Sequence, residues 1–252
     1  MTKIIIDAGH GGSDPGTVYN GRQEKNDNLR LALAVGKILS SHGIDVSYTR
    51  TTDVYHSPYE KAMIGNNAGA DLFISIHRNA ARTPNTGTGI ESLIYADGGT
   101  AARLARNINQ QLETTGYRNR GIIERPELTV LKRTVMPAVI VEAGFLNNES
   151  DNQLFDAKLN QIAQAIADGI LVTLGAEPSK PQKLYRVQVG AYKNGDYANR
   201  LADRLRSDGF QAFVAYRDGY YRVQAGAFTN LDNAVSMEQQ LRRAGYDTFI
   251  TS

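Results

Sequence analysis

The amino-acid sequence predicts an α/β domain with a mostly parallel sheet flanked by helices, followed by a small α+β domain. Strand-like and helix-like patterns alternate over residues 1–175, which is typical of parallel sheets. A stretch with prolines, small residues and charges at 176–182 ends this alternation and predicts a linker. Residues 183–252 then contain a repeat, since YRVQVGAY (185–192) recurs as YRVQAGAF (221–228) at an offset of 36. We therefore expect two domains, the second built from two βαβ halves.

Each element of the first domain is predicted from its own pattern. The run KIIID (3–7) predicts a buried strand, and a Gly-rich loop follows it. Apolar residues recur at helical spacing in four segments, which predicts helices at 29–43, 59–69, 100–116 and 151–174. Short apolar runs predict further strands at 44–50, 71–77, 89–95, 128–132 and 137–144.

The composition is that of an ordinary globular protein, with 41% hydrophobic residues and a net charge of +2 over 252 residues. This charge demands no polyanionic partner. The chain contains no cysteine, so disulfides and thiolate metal sites are excluded and any metal must be held by histidine and carboxylate. The first apolar run is too short for a signal peptide, and no run could span a bilayer. We therefore expect a protein made in the cytoplasm without a signal peptide or membrane insertion.

Four polar residues stand out because of the phrases that contain them. They are His10 in IIIDAGHGGSDPG, Glu24 in RQEKNDNL, His77 in FISIHRNA and Glu142 in VIVEAGFLNN. Three of the phrases end an apolar run, and the carboxyl ends of strands in an open α/β sheet meet at one crevice. Two imidazoles and a carboxylate leave a zinc ion one open position for water, and a further carboxylate can act as general base.

Each of these residues taken alone has an ordinary explanation. His10 could cap a backbone group in a turn, and His77 could be a buried histidine bonded to the backbone. Glu24 opens a helix and could be an ordinary first-turn carboxylate favoured by the helix dipole. Glu142 could form a buried ion pair with an arginine, although carboxylates are rarely buried without a partner or a task. All four explanations would have to hold separately, which makes a shared site the better interpretation. His42 and His56 lie at a helix end and in a polar loop, and we assign neither to a metal.

Residues 3–174 resemble the zinc-dependent N-acetylmuramoyl-L-alanine amidases through IDAGHGGSDPG, QEK, SIHRNA and VEAGFLNN, in that order. The resemblance implies that His10, Glu24 and His77 bind zinc and that Glu142 is the catalytic base. It also implies peptidoglycan as substrate, cut between N-acetylmuramic acid and L-alanine. Arg78 departs from the family, which usually has a smaller or neutral residue there, and could alter substrate preference. We expect Asp7 and Asp14 to orient the ligands or shape the loop.

The duplicated module, 183–252, resembles the SPOR domain, which binds peptidoglycan glycan strands that lack stem peptides. Alternation in YRVQVGAY places Val187 and Val189 on one face of a strand and Gln188 on the other. The resemblance implies that Gln188, Tyr220 and Arg222 contact the sugar. The alternative is that they are ordinary solvent-facing residues of a sheet. The module has ten Lys or Arg residues and seven Asp or Glu residues, a weakly basic balance.

Two other functions are weighed against an amidase. A zinc carboxypeptidase would need an arginine clamp for the terminal carboxylate, and nothing in the spacing of Arg78, Arg125 and Arg133 supports one. A duplicated βαβ sheet could instead stack RNA bases, but the aromatic string of RNA-recognition motifs is missing, so we expect no nucleic-acid partner.

A wall hydrolase without a signal peptide must reach its substrate by another route. It could be a phage endolysin released through a membrane hole, or a bacterial autolysin that lyses the mother cell late in sporulation. We expect a monomer that acts on the cell wall after such a release.

Overall fold

A computed structural model of the protein describes residues 2–175, 184–228 and 231–251. The chain divides into two compact units, Met1–Pro178 and Ser179–Ser252. The linker predicted over 176–182 lies outside the described residues. Within the described parts of the chain, no helix combines the length and the apolar character that crossing a membrane requires.

The first unit contains strands and helices in alternation. Its strands are β1 (Lys3–Ala8), β2 (Val18–Tyr19), β3 (Arg22–Gln23), β4 (Asp45–Tyr48), β5 (Leu72–Asn79), β6 (Ile90–Ile94), β7 (Asn119–Glu124) and β8 (Ala138–Phe145). Its helices are α1 (Glu24–Ser41), α2 (Pro58–Ala68), α3 (Gly99–Glu113), α4 (Thr129–Arg133) and α5 (Glu149–Thr173).

Six of these strands form one mixed sheet in the order β4-β1-β5-β8-β6-β7. The pairs from β4 to β8 are parallel, whereas β6 is antiparallel to β8 and parallel to β7. Isoleucines of β1 alternate between two buried clusters: Ile4 and Ile6 lie in one and Ile5 in the other. Helices therefore cover both faces, as the alternating sequence pattern predicts, and the mostly parallel α/β fold is confirmed.

The segment predicted as a strand over 128–132 is instead the short helix α4. Its β-branched and apolar residues suggest a strand, but Val130 and Leu131 are both buried in the same cluster. Adjacent residues of a strand point to opposite faces, so a helical turn is the conformation that buries both. The edge strand β7 is not predicted from the sequence, because NRGIIE begins with polar residues and contains a glycine. In the structure this glycine has φ 90°.

Apolar periodicity predicts helix α1 over 29–43, and the structure begins it at Glu24, the residue that the sequence places at a helix start. Its first turn is polar and shows no apolar periodicity, yet Glu24, Asp27 and Asn28 are all buried. These polar side chains can be buried because they form hydrogen bonds and ion pairs around the site described below. Helical periodicity alone therefore misses the functional end of this helix.

The second unit is a four-stranded antiparallel sheet with two helices. Its strands are β9 (Tyr185–Tyr192), β10 (Phe213–Arg217), β11 (Tyr220–Phe228) and β12 (Phe249–Thr251), in the order β10-β11-β9-β12. The helices are α6 (Gly195–Ser207) and α7 (Leu231–Arg243). Leu205 and Leu241, which are equivalent in the repeat, are both fully buried with Val187 and Val223. The predicted duplication of strand, helix and strand is therefore present.

Candidate active site

Three of the predicted motifs meet at one edge of the six-stranded sheet. β1, β5 and β8 are parallel, so their carboxyl ends lie side by side. Gly9 donates its backbone N–H to the carbonyl of Ile76 (3.0 Å), which places His10 next to His77. His77 is the direct neighbour of Glu142 across β5 and β8. The structure thus brings both histidines and this glutamate together.

Glu24 joins this group from the first turn of α1. Its Oε1 lies 3.2 Å from Nε2 of His10 and 3.0 Å from Nδ1 of His77. One donor atom from each of these three residues lies within 4.8 Å of the other two. The histidine side chains keep 24% and 22% of their surface exposed, so the group opens to solvent. Two imidazoles and one carboxylate converging on a point can hold a metal ion.

Three further donors fix the carboxylate of Glu24. The backbone N–H of Thr17 donates to Oε2 (2.9 Å), while the backbone N–H of Arg78 and the side-chain amide of Asn28 donate to Oε1 (3.1 and 3.2 Å). The carboxylate is almost fully buried, so these bonds determine its orientation. The site is therefore held in place before any ligand binds.

The Gly-rich loop after β1 places His10 through an unusual backbone. His10 itself has φ 60°, a left-handed conformation, and its Nδ1 lies 2.8 Å from Oδ2 of Asp14. A Cβ at Gly9 would collide with the ring of His77, and a Cβ at Gly16 would collide with the ring of His10. These two glycines are needed because the imidazoles occupy the space that a side chain would take.

Buried charges support the loop from inside the domain. Asp7 accepts hydrogen bonds from the hydroxyls of Thr49 (2.5 Å) and Ser75 (2.6 Å) and lies 3.0 Å from Nζ of Lys61. Lys61 also donates to the carbonyl of Ala8 (2.8 Å). Burial alone would raise the pKa of Asp7, but the charge of Lys61 and the two hydroxyls lower it, so the carboxylate stays ionised.

Arg50 holds the same loop from the other side. Its guanidinium donates to the carbonyls of Ala8 (2.9 Å), Gly9 (2.9 Å) and Lys25 (2.8 Å). These bonds link the end of β1 to the first turn of α1. The backbone that carries His10 and the helix that carries Glu24 are thereby fixed relative to each other.

The electrostatics of the site favour positive charge between the ligand atoms. Burial would lower the pKa of His10, but the hydrogen bonds and charges of Glu24 and Asp14 outweigh it and raise the pKa to about 9. Burial would raise the pKa of Glu24, but both histidines bring it below its usual range. The positive charge can be a proton on His10 or a metal ion.

Glu142 differs from Glu24 in its surroundings. Part of its side chain is exposed, whereas Oε2 is buried and has no hydrogen-bond partner among the described residues. Burial and the nearby carboxylates of Glu24 and Glu91 raise its pKa to about 7, against the opposing effect of the histidines. A carboxyl group with such a pKa can both accept and return a proton near neutral pH.

Arg78, which the sequence suggested could alter substrate preference, faces the interior of the domain. Its guanidinium lies 2.7 Å from Oδ2 of Asp27, donates to Oδ1 of Asn152 (2.8 Å) and stacks 4.1 Å from the ring centroid of Phe155. The side chain is fully buried. Arg78 therefore braces α1 against α5 beneath the site and does not reach a substrate.

The last residues of the VEAGFLNN motif form hydrogen bonds to the loop that follows β5. The side chain of Asn147 exchanges two hydrogen bonds with the backbone of Ala81 (2.7 and 3.0 Å). Asn148 donates to the carbonyl of Gly87 (2.9 Å) and caps α5 by accepting from the N–H of Asp151 (3.1 Å). Residues 80–89 are thus tied to the start of α5 beside the site.

Sequence reasoning missed Glu91, Arg50 and Lys61. Glu91 is the neighbour of Glu142 across β6 and β8, and it interrupts the apolar run GIESLIY as Glu142 interrupts its own run. A carboxylate inside an apolar run is rare enough to indicate a function, and this pattern marks Glu91 as well as Glu142. Arg50 and Lys61 carried no signal, because cations in loops and helices are usually solvated.

The residues predicted to bind glycan lie on the face of the second sheet opposite its helices. Tyr220, Arg222 and Gln224 alternate along β11 with Val223, which is buried under the helices, and Gln188 is the neighbour of Gln224 on β9. The predicted separation of Val187 from Gln188 is therefore observed. Tyr220 is exposed and Arg222 is partly exposed.

Gln188 is buried, although its face is the open one. One row across the sheet joins Phe213, Gln224, Gln188 and Phe249, so two exposed aromatic side chains flank two buried amides. Nε2 of Gln188 and Nε of Arg222 have no hydrogen-bond partner among the described residues. Nη1 of Arg222 lies 3.5 Å from Oε1 of Gln188, so two of the predicted residues touch.

Comparison with known protein families identifies both units. Residues 4–172 match the family described as N-acetylmuramoyl-L-alanine amidase, and residues 181–252 match the SPOR domain. The chain is 37% identical over 224 residues to a sporulation-specific N-acetylmuramoyl-L-alanine amidase of Bacillus subtilis (strain 168), covering 86% of each chain. It is 34% identical over 201 residues to an endolysin of Bacillus phage SPP1, covering 73% of each.

Solved structures agree with these matches. The crystal structure of an N-acetylmuramoyl-L-alanine amidase from Clostridium difficile 630 superimposes with a TM-score of 0.66 at 36% identity, covering 69% of this chain and 97% of that one. The family match over residues 4–172 lies within the first unit, so the catalytic family corresponds to that unit.

We expect Lys61→Met to destabilise the protein by about 3–5 kcal/mol, because it leaves Asp7 as an uncompensated buried charge. Methionine keeps the apolar stem of the lysine, so the loss reflects the charge. Adding Asp7→Asn should recover part of the stability. Denaturant unfolding would measure both effects, with the exposed Lys37→Met on α1 as control, expected within about 0.5 kcal/mol of wild type. Equal stabilities for Lys61→Met and Lys37→Met would contradict this account.

Proposed function

Because the chain belongs to the N-acetylmuramoyl-L-alanine amidase family and carries a SPOR domain, we propose that it cuts the bond between N-acetylmuramic acid and L-alanine with a zinc ion held by His10, Glu24 and His77. Glu142 would be the general base. The family establishes that the protein is an amidase that hydrolyses cell-wall peptidoglycan. The main support for the zinc mechanism is that three ligand atoms converge beside the carboxyl group of Glu142, whose Oε2 is buried with no hydrogen-bond partner among the described residues.

The three proposed ligands fit zinc in chemistry and in spacing. Zinc–nitrogen and zinc–oxygen bonds of about 2.0–2.2 Å in a tetrahedral site imply ligand atoms about 3.4 Å apart. The separations of 3.2 and 3.0 Å from Glu24 to the two histidines are close to that value, and all three ligand atoms lie within 4.8 Å of one another. Asp14 holds the other ring nitrogen of His10, as carboxylates commonly do for metal-bound histidines.

The residues of the chain supply the proton transfers. When bound, zinc would polarise the amide carbonyl and lower the pKa of a water molecule toward about 7. Glu142 would take the proton from the attacking water as the water oxygen bonds to the carbonyl carbon. It would then return the proton to the nitrogen of L-alanine as the C–N bond breaks, so that the amine leaves neutral.

None of the three arginines weighed as a carboxypeptidase clamp is an unpaired side chain beside the site. Arg78 is buried beneath the site, and Arg125 is paired with Glu127. The backbone carbonyl of Arg133 accepts a hydrogen bond from Asn66, near the end of the helix that precedes β5, so Arg133 lies toward the opposite edge of the sheet. Family membership favours the amidase on independent grounds.

We assign residues 1–175 as the catalytic domain, 176–182 as a linker and 183–252 as the domain that binds glycan strands. The open sheet face would take the glycan, with Gln188, Tyr220 and Arg222 in contact with it. Two buried polar atoms without described partners on this face support the assignment, because such groups commonly pair with a ligand or water.

We further propose that the enzyme is an autolysin of the mother cell late in sporulation, and that it acts on the cell wall after its release, as a monomer without a nucleic-acid partner. The sporulation-specific relative covers more of both chains than the phage relative does. A phage endolysin is the second candidate, and the endolysin of Bacillus phage SPP1 favours it. Expression confined to late sporulation would support the first, and a lysis-gene neighbourhood the second.

We expect one zinc per chain and full loss of activity in a strong chelator, with the fold retained and activity restored by zinc. The core of the first unit is large, so the metal is not needed for folding. His10→Ala, Glu24→Ala and His77→Ala should lose the metal, whereas the matched controls His42→Ala and His56→Ala should keep it. Elemental analysis and wall-lysis assays give the two readouts. Activity that persists after verified removal of the metal would refute the assignment.

Glu142→Gln should lower kcat by about 10²–10⁴-fold while zinc stays bound, because it removes the general base. The exposed Glu113→Gln serves as control and should behave as wild type. In the wild type, Glu142 is inactive as a base when protonated. The value of kcat/KM should therefore fall as the pH falls. Its midpoint should lie at or below about 7, because the charge of a bound zinc ion would lower the pKa of Glu142 from the value of about 7 that it has without metal. Normal turnover by Glu142→Gln would exclude it as the base.

Gln188→Ala and Arg222→Ala should weaken co-sedimentation of the full chain with walls stripped of stem peptides, while leaving cleavage of soluble wall fragments unchanged. The catalytic residues all lie in the first unit, and tethering matters only for an insoluble substrate. The exposed Arg243→Ala on α7 matches the change in charge and should sediment like wild type. A truncated chain of 1–175 should lose rate mainly on intact walls. Equal binding to stripped and untreated walls would show that the targeting idea is wrong.

A further inference from the structure

The row of side chains at the carboxyl edge of the sheet continues beyond the catalytic group. His77 on β5 is the neighbour of Glu142 on β8, and Glu142 is the neighbour of Glu91 on β6. Residues directly opposite one another project from the same face of a sheet. The next strand is β7, where Arg120 lies with its Nε 2.7 Å from Oε2 of Glu91. The row thus crosses four strands. It contains the proposed metal ligand His77, the proposed base Glu142, the carboxylate of Glu91 and the guanidinium of Arg120.

A β-bulge places Arg120 in this row. Ile90 pairs with Asn119 and Ser92 pairs with Ile122, so Arg120 and Gly121 together face the single residue Glu91. Gly121 has φ 90°, and its carbonyl accepts a hydrogen bond from the buried Asn109 of α3 (2.7 Å). Bulges at sheet edges commonly redirect a side chain next to an active site.

The side chain of Arg120 is fixed at one end and free at the other. Glu91 holds its Nε, and Glu91 is itself held at Oε1 by Asn79 (2.7 Å) of the SIHRNA motif. The guanidinium lies 5.1 Å from the ring centroid of Phe145, at the end of β8. Its two terminal nitrogens make no hydrogen bond to the described residues, and 37% of the side chain is exposed. A planar pair of free N–H donors matches a carboxylate.

The distance suits one particular carboxylate of the substrate. Two strand spacings put the backbone of Arg120 about 10 Å from that of Glu142, and Nε of Arg120 contacts Glu91 on the strand between them. In a stem peptide whose second residue is a D-glutamate linked onward through its side chain, the free α-carboxyl lies about 7 Å from the scissile amide, two residues along. The muramic acid side of that amide has no anionic group once its lactyl carboxyl is in the amide.

Resting on the proposed function, we propose that Arg120 binds the α-carboxylate of the stem-peptide residue that follows L-alanine, and so makes the enzyme select substrates in which this group is free over those in which it is amidated. Glu91 and Asn79 position the guanidinium. The peptide thereby runs from the metal ligands past Glu142 toward β7.

The test compares two disaccharide substrates, one bearing L-Ala-D-isoglutamate and one bearing L-Ala-D-isoglutamine, with the zinc-loaded full chain. The wild type should show kcat/KM about ten- to a hundredfold higher for the free carboxylate, in line with a charge-assisted bidentate contact. Arg120→Ala should bring the ratio of the two substrates close to one. Arg118→Ala, an exposed arginine just before β7, is the control and should keep the wild-type ratio.

The ratio separates this proposal from the other roles of the site. Any change in Glu142 that follows from loss of the Arg120–Glu91 pair affects both substrates equally and cancels. If the wild type cleaves neither substrate, the proposed function fails. If the wild type cleaves both substrates and Arg120→Ala leaves the ratio of their kcat/KM values unchanged, the assignment of Arg120 is overturned. It is also overturned if selectivity arises only when a third peptide residue with its own carboxylate is added to the substrate.

Discussion

The carboxylate of Glu24 is the contact on which the arrangement of the site depends. It lies at the first turn of α1, yet it touches both histidines and accepts hydrogen bonds from the loop after β1 and from β5. A buried carboxylate is costly unless it is paired and bonded on every side. The position of this one group therefore constrains the loop that carries His10, the strand that carries His77 and the helix itself.

Two sets of buried charges make that constraint possible. Asp7, Lys61 and Arg50 support the Gly-rich loop, and Arg78 with Asp27 braces the first turns of α1. Each set pairs its charges and uses remaining donors on backbone carbonyls, so few groups are left unsatisfied. Rigid support of this kind holds the side-chain atoms of the site in position before an ion or a molecule binds. Binding then requires little rearrangement of the protein, which favours affinity.

The two units use sheets in different ways. In the first, helices cover both faces, and chemistry is confined to the carboxyl edge, where strand ends leave polar groups free. In the second, helices cover one face and the other remains open, with aromatic and amide side chains in rows across the strands. An edge suits a small reacting group, whereas an open face suits an extended polymer.

The sequence by itself determined the alternating α/β architecture, the duplicated second unit and the four phrases around His10, Glu24, His77 and Glu142. Periodicity and motif order are local properties, so they can be read without coordinates. Only the tertiary structure decided that α4 is a helix and that Arg78 points inward, because both outcomes depend on what these residues pack against. It also decided that Glu91 and Arg120 extend the row begun by His77 and Glu142. Their place follows from strand order, register and a single bulge, and none of these is encoded in the spacing along the chain.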